Sequence, residues 1–276
     1  MATLETRPGL LEGKQVLVMG LLSPQSYAWS IGEEAIAEGA NVQYTVQDEQ
    51  TVKRTARNFR NQGIPLNESQ VLPCDVTRNE DIDKLVADVK SPLDGMVYSI
   101  AYVNPKTALG VPLWETPVED VLRGFHASAI GLVSVVGGLV RAEKFNPNAS
   151  VVAMTFDSRR AYPNYGWMGP IKGALEGINR YLAMQLGPEK GLRFNCVSAG
   201  PQTTVAASSI PGFKDIGQVW KERSPKGWDL DRGRVFVARS AVYLLSDRSE
   251  GVTGGVHDVD GGYQSVAFML KNDSLE

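Results

Sequence analysis

The stretch Gln15-Val-Leu-Val-Met-Gly20-Leu-Leu-Ser-Pro-Gln-Ser26-Tyr27-Ala28 leaves a short Val-rich run, turns at a glycine and enters a helical pattern. A brief apolar run closed by Gly predicts a strand, and the periodic segment from Tyr27 to Glu38 predicts a helix. Ser26 stands where a hydroxyl N-cap belongs. Backbone N–H groups and the helix dipole at such a strand-to-helix turn suit a pyrophosphate. Only Gly20 remains of a glycine-rich phosphate fingerprint, so the same residues also read as an ordinary capped turn.

The alternation continues along the chain. Further strands are predicted at Asn41–Val46, Gln70–Pro73, Gly95–Ser99, Ser150–Thr155, Arg193–Ser198 and Val256–Val259. Helices are predicted between them at Glu49–Asn61, Asn79–Val89, Val118–Lys144, Gly166–Leu186 and Arg234–Leu245. Strands joined by crossover helices must run parallel, which gives an α/β doubly wound sheet of about seven strands. The length of 276 residues, without linker, repeat or low-complexity tract, fits a single domain over residues 1–276. Thr203 to Trp228 is loop-prone, with Pro211, Gly212, Gly217 and Pro225. It follows a strand end, where ligands bind in such sheets, so it reads as a substrate lid or else as a surface excursion.

Composition narrows the classes. The net charge is −3, from 28 basic and 31 acidic residues, and the cations are scattered, which argues against a nucleic-acid partner. Cys74 and Cys196 sit among apolar residues and read as free buried thiols of a reducing compartment. No zinc spacing and no other metal pattern is present. The stretch Met1 to Gly13, with Glu5, Arg7 and Glu12, lacks the apolar run of a secretory signal. No run approaches the roughly 18 apolar residues of a membrane span. The expectation is a cytoplasmic protein with no membrane partner.

After the second strand comes Gln47-Asp48-Glu49, where a dinucleotide fold contacts the adenosine ribose. Two carboxylates there disfavour a 2′-phosphate and favour NADH over NADPH, although Lys53 and Arg54 follow a turn later. Asp48 and Glu49 equally suit the start of the next helix without any cofactor. Tyr165 and Lys172 are seven apart. On one helix they would share a face roughly 10 Å apart along the axis. The phenol could then donate to a substrate oxygen as charge develops, with the ammonium supporting it. Taken alone, such a pair is more often a half-buried aromatic beside a solvated amine.

Six segments in order carry a resemblance. They are Gly20-x5-Ser26-x-Ala28, Cys74-Asp75-Val76, Ser99-Ile100-Ala101, Tyr165-x2-Met168-x3-Lys172, Ser198-Ala-Gly200-Pro201 with Thr204-Val205-Ala206, and Val259-Asp-Gly-Gly262. Over nearly its whole length the chain resembles the NADH-dependent enoyl-acyl-carrier-protein reductases, the divergent branch of the short-chain dehydrogenases. The Tyr-x6-Lys spacing separates it from carbonyl-reducing members, which carry Tyr-x3-Lys; position 169 here is Gly.

The resemblance implies a Rossmann fold that reduces a trans-2-enoyl thioester of acyl-carrier protein or coenzyme A with NADH, as a homotetramer. By the same resemblance Gly20, Ser26 and Tyr27 hold the pyrophosphate, Gln47 the ribose, and Asp75 and Val76 the adenine. Ser99, Ile100 and Ala101 line the ribose and nicotinamide, and Lys172 holds the nicotinamide ribose. Gly200, Pro201, Gln202, Thr204, Val205 and Ala206 address the carboxamide and phosphate side. Tyr165 binds the thioester carbonyl, with Val103 and Met168 beside the substrate.

Phe156, nine residues before Tyr165, completes the catalytic set where many members place a second Tyr. In that it resembles the long-chain branch of mycolic-acid synthesis. The segment Thr204 to Pro225 instead has the compact length of the general fatty-acid-synthesis enzymes, which implies a short or medium acyl chain. Gln202 replaces a usual Ile, and Thr203 a usual Arg. Those departures keep open a reductase of a specialised pathway acting on another unsaturated or carbonyl substrate. A non-catalytic dinucleotide sensor is the other alternative; such proteins usually lack the Tyr or the Lys, and both are present.

Overall fold

The computed structural model describes residues 8–205 and 207–267. Glu5 and Arg7 of the amino-terminal stretch, and Ala206 among the expected cofactor residues, lie outside the described residues. The seven strands are β1 (Gln15–Met19), β2 (Asn41–Val46), β3 (Val71–Pro73), β4 (Leu93–Tyr98), β5 (Phe145–Thr155), β6 (Arg193–Ala199) and β7 (Val256–Val259). They form one sheet in the order β3-β2-β1-β4-β5-β6-β7, and every neighbouring pair is parallel. The order reverses between β1 and β4, the switch point at which doubly wound sheets open a crevice.

Side chains alternate across each strand, so both faces of a parallel sheet must be covered. Leu17 and Met19 of β1 join a buried cluster with Leu132 and Leu139 of α5 (Gly131–Arg141) and Leu175 and Leu182 of α6 (Met168–Lys190). Val16 and Val18 join the opposite cluster with Ile31 of α1 (Tyr27–Ala37), Phe59 of α2 (Glu49–Asn61) and Val237 of α8 (Gly233–Leu245). Each such side chain contributes roughly 1.5–3 kcal/mol on burial, before ordering costs. Cys74 and Cys196 are free and buried.

Several boundaries differ from the sequence expectation. Gln70 belongs to a 3₁₀ turn, Glu68–Gln70, rather than to β3. The helix expected over Val118–Lys144 divides into α4 (Val118–Phe125), a π turn His126–Ile130 and α5. The wider turn lets Tyr98 donate its hydroxyl to the Ala127 carbonyl at 2.6 Å, and Gly131 packs under that hydroxyl with no room for a Cβ. The continuous run Val118–Arg141 is long and apolar enough to cross a membrane by length and composition. In this fold it lies on the sheet, with Leu132, Val135, Val136 and Leu139 buried.

The helix expected from Gly166 begins at Met168 and runs beyond Leu186 to Lys190. Gly166 has φ +51 and its position is pressed against the Ala108 carbonyl, so the backbone there is not helical. Thr203–Trp228 is less irregular than its glycines and prolines predicted. It contains a 3₁₀ turn, Ala207–Ser209, and helix α7 (Phe213–Arg223). Pro211 and Gly212 fall outside that helix, and Gly217 lies where a Cβ would meet the Leu230 side chain at 2.6 Å. The remaining crossover helix is α3 (Asn79–Asp88).

Candidate active site

The carboxyl ends of the strands open into a cavity of about 580 Å³. Gly20 reaches it from β1, Gln47 from β2, Asp75 and Val76 from β3, and Ser99, Ile100, Ala101 and Val103 from β4. Phe156, Tyr165, Met168 and Lys172 line it from the β5–α6 connection, and Gly200, Pro201, Gln202, Thr204 and Val205 from beyond β6. With Ser26 and Tyr27, every expected site residue within the described chain meets this one space.

The first turn is built for close approach. Gly20 has φ +92, and a Cβ there would lie 2.6 Å from the Ser99 carbonyl oxygen. Ser26 caps α1, its hydroxyl accepting from the Trp29 N–H at 3.2 Å. Tyr27 donates to the Gly200 carbonyl at 2.6 Å, which joins the first turn to the end of β6. Gln202, the outlier of the sequence, is buried and donates from Nε2 to the Gln25 carbonyl at 3.0 Å. Its carboxamide oxygen is buried with no donor among the described residues. A buried acceptor in that state calls for a donor from a ligand or water.

At the other end Gln47 donates from Nε2 to the Asp75 carboxylate at 3.1 Å. Burial alone would raise the Asp75 carboxyl, but hydrogen bonds from Thr77 and Gln47 outweigh it and hold it below its ordinary value. Asp48 caps α2 by accepting from the Thr51 N–H at 2.7 Å, so the helix-start role read for it in the sequence is the one its side chain plays. Arg54 turns back toward Thr51, its Nη2 lying 3.5 Å from Oγ1. A glycine turn without a Cβ, a capped helix N-terminus, an amide–carboxylate pair at the far strand ends and a buried carboxamide oxygen fit a dinucleotide.

Tyr165 lies in the turn before α6 rather than on the helix, which corrects the shared helix face expected from its spacing to Lys172. The two meet the cavity because α6 starts immediately afterwards, the Met168 N–H donating to the Tyr165 carbonyl at 3.2 Å. Burial raises the Tyr165 phenol above its ordinary value, and the nearby Glu176 carboxylate adds to this. The hydroxyl is therefore a neutral donor rather than a tyrosinate. Lys172 is 5% exposed, and its Nζ donates to the Met154 carbonyl at 2.7 Å. Burial pushes its ammonium down to about 8, against the opposing pull of Cys196 and Glu176.

Phe156 places its ring 5.0 Å from that of Tyr165, 4.8 Å from Tyr162 and 5.5 Å from Trp220 of α7. Its ring offers packing and no donor. Sequence reasoning passed over Leu109, Tyr162, Ile210, Phe213 and Ile216, which also line the cavity. Phe213, Ile216 and Trp220 recur at helical spacing in the segment read as loop-prone, a signal that its glycines and prolines obscured.

Residues 20–264 match a protein family described as enoyl-(acyl carrier protein) reductase. The chain is 35% identical over 272 residues to the enoyl-[acyl-carrier-protein] reductase [NADH] of Mycolicibacterium smegmatis, covering 92% of this chain and 97% of that protein. It is 36% identical to the corresponding NADH enzyme of Salmonella typhimurium, covering 95% and 97% of the two chains. Identity to the Neisseria meningitidis enzyme is 33%, covering 95% and 99%.

Proposed function

The chain belongs to the enoyl-(acyl carrier protein) reductase family, and on that premise we propose that it is an NADH-dependent reductase of trans-2-enoyl thioesters in fatty-acid synthesis. The observation that carries this reading is the convergence of Tyr165, Lys172 and the phosphate turn on one cavity. When bound, NADH would supply the hydride that adds to Cβ of the enoyl chain, and a proton from water completes the reduction at Cα.

Tyr165 holds its proton and donates it in a hydrogen bond to the thioester carbonyl, where negative charge develops as the double bond is reduced. A preorganised donor of this kind stabilises the transition state more than the ground state. Lys172 spends one of its three donors on Met154, which fixes the ammonium and leaves two donors for the nicotinamide ribose. Phe156 packs against the Tyr165 ring and keeps its rotamer. Gly20, Ser26 and Tyr27 take the pyrophosphate, Gln47 and Asp75 with Val76 the adenosine end, and Ser99, Ile100 and Ala101 the nicotinamide side. Gln202, Thr204 and their neighbours close the opposite wall. The Asp75 carboxylate at the adenosine end, with Arg54 turned onto Thr51, favours NADH over NADPH.

The segment 203–228 acts as the substrate lid of a one-domain enzyme, and α7 supplies its apolar face. The thioester carrier is acyl-carrier protein, with coenzyme A as the alternative donor of the same arm. The enzyme works in the cytoplasm, consistent with its two free thiols, and neither membrane nor nucleic acid is its partner. It assembles as a homotetramer: Val118 and Leu122 of α4 and Tyr181 and Met184 of α6 are each more than 60% exposed, on helices that touch one another. Apolar side chains exposed in this number support self-association. The test is loss of NADH absorbance with crotonyl and octenoyl thioesters, run against 2-alkenals and ketones. Turnover confined to alkenals or ketones would instead favour the specialised-pathway reading.

A further inference from the structure

The cavity has two chemically distinct ends. Asp75, Gln47 and the first turn make one end polar, whereas Leu109, Met168, Ile210, Phe213 and Ile216 make the other apolar. An acyl chain belongs at the apolar end, because a hydrocarbon gains by leaving water only where no polar group loses its partner. With its carbonyl on Tyr165, such a chain runs along Phe156, whose ring touches Tyr165 and Tyr162 alike. We infer that Tyr162 is the specificity-determining residue that ends the acyl site and confines the enzyme to short and medium chains. This rests on the enoyl-thioester reading above and deepens it.

Tyr162 is held in a way that an ordinary lining residue is not. Its hydroxyl donates to the Asp157 carboxylate at 2.8 Å and accepts from Gln264 Nε2 at 2.9 Å. Asp157 is itself buried and fixed by the Arg159 backbone N–H at 3.1 Å and Nε at 2.9 Å. Arg159 continues to Asp258, with Nη2 donating to both carboxylate oxygens at 2.9 and 2.7 Å. Gln264 is anchored in turn by Arg160 and by its own N–H to the Asp260 carboxylate at 2.9 Å. Charge-assisted bonds such as these resist exchange more than neutral ones.

The ring is clamped as well. It meets Phe156 edge-on, with centroids 4.8 Å apart, and lies 5.6 Å from Trp220. Trp220 is 1% exposed and stacks on Tyr263 at 3.7 Å with an interplanar angle of 12°. β7, through Asp258 and Arg159, and the segment after it, through Gln264 with Arg160 and Tyr162, thus clasp the Tyr165 loop, and Tyr263 clasps the lid helix through Trp220. A rotation of Tyr162 that lengthened the site would break two hydrogen bonds and leave the buried Asp157 short of a donor, so a hydrocarbon cannot push it aside cheaply.

The test is kcat/KM for a series of enoyl thioesters from crotonyl to hexadecenoyl, with Tyr162→Ala, Tyr162→Leu and Tyr162→Phe, and NADH affinity measured on each variant. Wild type is expected to prefer the shorter chains, and Tyr162→Ala to shift the hexadecenoyl-to-crotonyl ratio upward ~10-fold or more with NADH affinity unchanged. Tyr162→Leu shifts the ratio in the same direction and stands in if the Ala variant does not bind NADH. Tyr162→Phe keeps the ring but loses both hydroxyl anchors, so its ratio is expected to rise by less than that of the Ala variant. A wild type that prefers hexadecenoyl, or unchanged ratios in the Ala and Leu variants, overturns the inference while crotonyl turnover leaves the reductase reading intact. Absence of turnover with every thioester overturns both.

Discussion

Lys172 donates from Nζ to the main-chain carbonyl of Met154 at 2.7 Å, which ties a buried ammonium at the start of α6 to the end of β5. Burial lowers this group from 10.5 to about 8, so its charge is present at neutral pH and declines above it. NADH affinity is therefore expected to weaken as pH rises through about 8, and Lys172→Met is expected to remove that dependence along with most of the affinity. Fluorescence titrations between neutral and alkaline pH measure both.

The same shift has a stability consequence of opposite sign. Between the folded value of about 8 and the ordinary 10.5, the unfolded chain binds the Lys172 proton more readily than the folded one. Stability from this residue therefore rises with pH across that window, because the cost of burying the charge is relieved. Urea midpoints at the two ends of the window, compared between wild type and Lys172→Met, should show a rise in wild type that the variant lacks.

Gly20→Ala is expected to lower stability by about 1–3 kcal/mol, from a positive φ alone, and more if the Ser99 carbonyl must move. NADH affinity should fall with it, since that carbonyl borders the cofactor end of the cavity. Chemical denaturation and NADH titration of the variant check the two effects separately.

Trp220→Ala removes the side chain that joins α7 to Phe156, Tyr162 and Tyr263. A loss of about 3–5 kcal/mol is typical of such a truncation. Protease cleavage should appear first within 203–228, where the lid loses its anchor. Cleavage at the rate of wild type would count against the lid.

The sheet was legible in the sequence because strands of a parallel sheet leave short Val-rich runs, and β1, β2 and β7 begin and end where those runs do. The lid helix was not: Phe213, Ile216 and Trp220 carry its apolar stripe, but Gly212 and Gly217 read as breakers until the Leu230 contact explains the second. The spacing of Tyr165 and Lys172 pointed to the right pair by the wrong geometry. A shared helix face was expected, and the positive φ of Gly166 places the tyrosine in a turn instead. Tyr162 escaped notice because its role depends on Asp157 and Gln264, the latter 102 positions away along the chain.

The central claim is that the Tyr165 phenol, kept neutral by burial, donates to the substrate carbonyl and does little for NADH binding. Steady-state reduction of crotonyl and octenoyl thioesters by Tyr165→Phe, with NADH affinity measured in parallel, tests it most directly. The account predicts a fall in kcat of roughly 100-fold or more with NADH affinity preserved. A variant with wild-type kcat, or one that loses NADH binding in proportion to its activity, would contradict it.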